Sequence, residues 1–184
     1  MRKEIERQAF HLVLGTVLAA LILILGKFYS LAIFGTAMIA GIVLSELLHK
    51  NIRIPPFHWF IQRLERRGVK PGMGTLNFVL GAFIALVFFD PKIVFVSVLI
   101  LAFGDSFSTI IGKGFGSKRL NNGKSLEGFL GGFIASLFVT LPYLNIYTGA
   151  VACFIASFIE LVCPVDDNVV IPPVASLIIY MLTL

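Results

Sequence analysis

The chain consists of long uncharged apolar runs joined by short connections that hold nearly all of its Lys and Arg. Residues 12–25 and 93–103 carry no ionisable side chain at all. An element at the surface of a water-soluble domain keeps one polar face, and these runs have none to offer. They suit hydrocarbon, where a spanning helix needs about 20 predominantly apolar residues. The whole chain agrees: mean hydropathy is +0.95 and only 14% of residues are charged, well below the roughly 25% of soluble domains.

This pattern predicts an all-α fold, a polytopic membrane helix bundle with about seven transmembrane helices. The spans fall near residues 9–26, 30–48, 74–89, 91–112, 126–143, 145–162 and 168–184. The third is short, and Pro172 and Pro173 interrupt the seventh, so broken or partly inserted helices are expected there. Residues 1–184 read as a single integral-membrane catalytic domain. The run from Phe10 to Gly26 is longer than a secretory signal core and no small-residue cleavage site follows it, which favours a first span over a signal peptide. Cys153 and Cys163 lie in or at the end of apolar segments and read as small apolar side chains.

The basic residues set the orientation. With the N-terminus cytoplasmic, thirteen of the 15 Lys and Arg fall on inside connections and only Lys27 and Lys92 outside, as the positive-inside rule requires. A net charge of +5 confined to such connections points to phosphates and anionic lipid headgroups, and away from nucleic acid. Within the long inside connection, residues 55–67 have apolar positions at helical spacing, with Pro55 and Pro56 at the start and Gly68 at the end. An interfacial helix is expected there, with an ordinary solvated loop as the alternative.

The candidate chemistry gathers at the inside face. Asp105 lies about two turns within the fourth span and shares a helical face with Ser108, Thr109 and Gly112, a polar stripe that must point into the bundle. The connection at 112–128 is rich in glycine and basic residues. Gly112, Gly114, Gly116 and Gly123 let backbone N–H groups approach phosphate oxygens, Lys113, Lys118, Arg119 and Lys124 offset a polyanion, and Ser125 is placed to cap the fifth span. This is not a Walker A loop, because Lys118 occupies the position of its first glycine and a membrane helix precedes it. Gly128, Gly132 and Ser136 form a small-residue ridge for close helix packing. Glu160, Asp166, Asp167 and Asn168 supply hard oxygen atoms of the kind Mg²⁺ takes together with nucleotide phosphates, with a solvated acidic turn as the alternative. His11, near the same face, is a candidate substrate-binding residue or an interior histidine bonded to Glu46 or backbone.

Taken in order, Glu6-Arg7-Gln8-Ala9-Phe10-His11, Pro71-Gly72-Met73-Gly74-Thr75, Gly104-Asp105-Ser106 with Gly112, Gly123-Lys124-Ser125-Leu126-Glu127-Gly128, and Glu160 followed by Asp166-Asp167-Asn168 and Pro172 resemble the CTP-dependent dolichol, polyprenol and phytol kinases, a family that includes CTP-using diacylglycerol kinases. The resemblance implies CTP as donor, Mg²⁺ as cofactor, and a lipid monophosphate plus CDP as products. It implies nucleotide or catalytic roles for Asp105, Lys124 and Glu127, and for Asp166 and Asp167; from the residues themselves, a nucleotide site is expected along Gly112 to Ser125, metal ligation by Asp105, Glu160, Asp166 and Asp167, and substrate contacts for His11 and Asn168. Gln8 departs from the pattern, which has a lysine after the arginine. A lipid-phosphate cytidylyltransferase and a transporter or channel are the rival readings.

Overall fold

A computed structural model describes residues 2–50, 70–117 and 123–184. Among the described residues the protein is all-helical, with six helices: α1 (Arg2–His49), α2 (Met73–Phe88), α3 (Pro91–Phe115), α4 (Leu126–Thr140), α5 (Ile146–Val162) and α6 (Asp167–Thr183). The connection proposed as an interfacial helix, 55–67, lies outside the described residues, as do Lys118 and Arg119.

The first two expected spans are the two limbs of α1. Gly26 breaks the helix between them with φ 72° and ψ −178°, a left-handed φ that glycine adopts without Cβ strain. Two helices, α1 and α3, are long and apolar enough to cross a membrane, and the other four are apolar but have only 15–17 residues. At 1.5 Å per residue those four rise about 22–26 Å, short of the roughly 30 Å of a bilayer core. Seven full-length spans are therefore not what the helix lengths show. The expected interruption at Pro172 and Pro173 does not occur either, since both prolines sit inside a continuous α6. Pro172 removes the N–H that would bond the Asn168 carbonyl. That carbonyl instead lies against Gly81 of α2, where a Cβ would overlap it.

Helix α3 is the axis of the bundle and touches every other helix. Its residues from Val94 to Ala102 are all buried, so an uninterrupted apolar run is what a helix surrounded on all sides demands. One polar pair crosses this core: the Ser176 hydroxyl of α6 donates to Ser97 at 2.9 Å, and Ser97 donates to the Val94 carbonyl at 2.9 Å. The small-residue ridge of α4 packs on α3. A Cβ at Gly132 would lie 2.8 Å from the Gly104 carbonyl oxygen, and one at Gly128 would lie 2.8 Å from that of Ser108. By contrast, much of α1 stays exposed although it is apolar, including Val13, Val17 and Ile24 on the first limb and Ile39, Ile42 and Val43 on the second. Such a surface is stable in lipid and costly in water.

Caps and hydrogen bonds fix the ends. Asp90 accepts from the Lys92 N–H ahead of Pro91, and Asn145 accepts from the Thr148 N–H to start α5. At the same end of the bundle as Asp90, Lys27 donates to the Phe89 carbonyl at 3.3 Å, which joins the break in α1 to the α2–α3 connection. The described connections that sequence counting placed on the other, basic face meet at the opposite end, around the cavity described next.

Candidate functional site

A cavity of about 1090 Å³ opens at that basic end and is lined by every helix. Its chemical centre is a set of three carboxylates from three helices: Asp105 of α3, Glu160 of α5 and Asp167 of α6. One oxygen from each lies within 4.8 Å of the others. The sequence places them 55 and more residues from Asp105; the fold brings them together because α3 is central and α5 and α6 pack against it and each other.

Each carboxylate is met by a polar side chain from another part of the fold. Asp105 receives the Thr109 hydroxyl one turn on, at 3.4 Å, and His11 Nε2 of α1 lies 3.4 Å from its second oxygen. The His11 ring meets Phe78 edge-on, with centroids 5.0 Å apart. The next residue, Ser106, donates to the Gln8 backbone carbonyl at 3.3 Å and ties α3 to the first limb of α1. Glu160 is buried and accepts from the Ser108 hydroxyl. Asp167 is met by the Lys124 ammonium at 3.0 Å, and the same ammonium donates to the Glu160 backbone carbonyl. A carboxylate cluster this close, with one lysine against it, suits a hard divalent cation by the chemistry of its donors.

The described ends of the glycine-rich connection pack on α3 and α4. Ser125 caps α4 by accepting from the Gly128 N–H at 3.1 Å, and Gly112 and Gly116 pack closely on the Ser125 side chain. Gly112, Lys113, Gly123, Lys124 and Ser125 line the cavity, whereas Gly114 and Gly116 do not. Lys113 pairs with Glu4 at 2.7 Å, and Glu4 also accepts from Arg7, so the first turns of α1 are clamped to the end of α3.

Three expected site residues sit elsewhere than at the cluster. Glu127 accepts from the Ser117 N–H at 3.1 Å and from the Ser117 hydroxyl. It joins Ser117 to the first turn of α4 and is not part of the cavity wall. Asp166 caps α6, accepting from the Asn168 N–H at 3.1 Å and the Asn168 side-chain amide at 2.9 Å, and it takes a further bond from Asn77 of α2 at 2.8 Å. Asn168 is thereby tied to Asp166, although both border the cavity. His11 does not meet Glu46, which pairs with Lys70 at 3.2 Å. Asn77 and the Glu4–Lys113 pair are parts of the site that sequence reasoning missed. The available signal for Asn77 was an amide at the fifth position of an otherwise apolar helix.

Fold and site together define a class: an all-helical protein, rich in apolar helices, that gathers carboxylates from three helices against a lysine in a cavity with a partly apolar wall. Within that class the chain belongs to the family of the uncharacterized protein MJ1137 of Methanocaldococcus jannaschii, with which it is 35% identical over 96% of this chain and 93% of that one. It is 30% identical to the uncharacterized protein RP860 of Rickettsia prowazekii over 70% of each chain. It is also distantly similar to the CTP-dependent diacylglycerol kinase 1 of Schizosaccharomyces pombe, 28% identical over 68% of this chain and 72% of that protein. No family model and no solved structure matches the chain.

Proposed function

We propose that the protein is a CTP-dependent kinase that phosphorylates the hydroxyl of a membrane lipid alcohol. The observation that carries this reading is the juxtaposition, in one cavity, of Asp105, Glu160 and Asp167 with Lys124 and the capped start of α4. Distant similarity to a CTP-dependent diacylglycerol kinase supports the same class. Exposed apolar helices support a membrane setting.

The roles follow from position. Asp105, Glu160 and Asp167 would hold Mg²⁺, which supplies charge neutralisation for a nucleotide triphosphate. Gly123 has open space beside its Cα for phosphate oxygens near the first turn of α4, whose N-terminus favours negative charge, while Gly112 lets the capping Ser125 pack close. Lys124 exchanges its carboxylate partner for a phosphate oxygen. The lipid hydroxyl oxygen forms a bond to the γ-phosphorus as the bond from that phosphorus to the β-phosphate oxygen breaks, leaving CDP and a lipid monophosphate, and the hydroxyl proton passes to water at the open end of the cavity. Because such transition states are loose, fixed charge and alignment contribute more than a strong base. Asp105 and His11 border the place from which the hydroxyl arrives. Glu127 and Asp166 serve by holding the loop and the start of α6.

The test is incubation of detergent-purified protein with Mg²⁺, a panel of lipid alcohols and lipid phosphates, and CTP labelled at either the α- or the γ-phosphate. Label reaching an alcohol from the γ position alone is the expected result. Label reaching a lipid phosphate from the α position identifies a cytidylyltransferase and overturns the proposal, as does the absence of transfer to any acceptor.

A further inference from the structure

We infer that the acceptor's hydrocarbon chain occupies the apolar part of the cavity, along the facing sides of the two limbs of α1. The inference rests on the proposed lipid-alcohol substrate and adds a binding subsite to it. On the second limb Ala37, Gly41, Leu44 and Leu48 all line the cavity. Their spacing of four, three and four residues puts them on one helical face. On the first limb the cavity wall changes from Arg7 and His11 to Leu14 with increasing distance from the chain start, so the polar and apolar parts of the wall are continuous.

Two dimensions fit a lipid chain. From Ala37 to Leu48 the wall runs about 16 Å along the helix axis, close to half of the roughly 30 Å bilayer core and so to one leaflet. The whole cavity, about 1090 Å³, is slightly larger than the roughly 300–1,000 Å³ typical of small-molecule sites, in keeping with the two substrates of a transfer reaction. At Gly41 the second limb packs closely on α2, since a Cβ there would come within 2.7 Å of the Leu76 side chain. Away from the cavity wall both limbs carry exposed apolar residues, among them Val13, Val17, Ile39 and Val43, and Ala37 is at once exposed and part of the wall. A lipid entering beside Ala37 therefore reaches the slot without its chain crossing water.

The test uses full-length protein in lipid nanodiscs, without nucleotide, and two photoreactive probes with a diazirine in the tail: a single-chain isoprenoid alcohol and a diacylglycerol. The expected result is labelling at Leu14, Ala37, Gly41 or Leu44 by at least one probe, abolished by excess unlabelled alcohol. Ala37→Trp, a substitution at an exposed position, should reduce that competed labelling by about tenfold or more, whereas Ile39→Trp on the outer face leaves it unchanged. Labelling confined to outward residues, or unaffected by competitor or by Ala37→Trp, overturns the slot. Competed slot labelling in a protein that transfers no phosphate from CTP would leave the slot standing and remove the kinase reading. Normal transfer by Ala37→Trp without slot labelling would do the reverse.

Discussion

Lys124→Met isolates the relation between the lysine and the carboxylate cluster. The Lys124 ammonium lies 3.0 Å from Asp167, so a divalent cation that takes Asp167 has to displace it. A hydrogen bond between charged groups contributes about 1.5–3 kcal/mol, and with the Lys124 side chain about one-third exposed, 35%, solvent screening favours the lower part of that range. Removing the competitor should tighten binding of Mn²⁺, measured without nucleotide, by about 10-fold and at most about 100-fold. Methionine keeps most of the apolar stem, which limits the change in packing. The same substitution should lower CTP-dependent turnover by about 100-fold or more, because a preorganised charge on the transferring phosphate is lost. The two readouts thus move in opposite directions. Titration of the purified protein with Mn²⁺, followed by electron paramagnetic resonance, gives the first; radiolabel transfer gives the second. If Lys124→Met bound Mn²⁺ no more tightly than the parent, the lysine would not be occupying the cation's place and the assignment of the cluster would fall.

Asp167→Asn and Asp105→Asn should each reduce turnover by about 10²–10³-fold while the protein still purifies as a folded species; near-parental activity in both would remove the cluster from the reaction. Asp166→Ala, one residue away, should instead destabilise the protein by about 1 kcal/mol through loss of the α6 cap, seen as a lower unfolding midpoint in detergent, with a smaller effect on turnover than Asp167→Asn. Gly132→Ala should destabilise by about 1–3 kcal/mol, because its Cβ would sit 2.8 Å from the Gly104 carbonyl and 2.9 Å from the Ser108 Cβ; an unchanged midpoint would show that α4 moves away from α3 without cost.

Helix class and approximate position were legible in the sequence because hydrocarbon-compatible runs and charged connections leave little choice of register along the chain. The two limbs of α1 and the central α3 fall close to their expected ranges. Helix ends were less legible. The stretch at 126–143 becomes a 15-residue α4 that ends at Thr140, and an apolar residue beyond a helix end looks the same in sequence as one within it. Pro172 and Pro173 misled for a different reason. Their cost was judged against an isolated helix, whereas here the carbonyl freed at Asn168 lies against Gly81 of a neighbouring helix. That close approach depends on packing between α2 and α6, which hydropathy does not encode.

The candidate site divides along the same line. Types and side of the bundle were legible: an acidic residue within a span cannot face lipid, and Asp105, Glu160 and Asp167 all point inward, as that cost requires. Roles within a motif were not. Asp166 and Asp167 are adjacent, equally acidic and equally placed by the sequence, yet one caps α6 and is held by Asn77 while the other meets Lys124. The difference arises because a cap residue stands just outside the helix with its side chain turned back on the backbone, and the next residue is already on the helical path. Glu127 shows the same effect at α4, where the neighbouring Ser125 takes the cap and the glutamate turns outward to Ser117. Once the start of each helix is known, capping geometry decides which carboxylate of such a motif faces the cavity: Asp167 rather than Asp166 joins the cluster and meets Lys124, and Glu127 is held by Ser117.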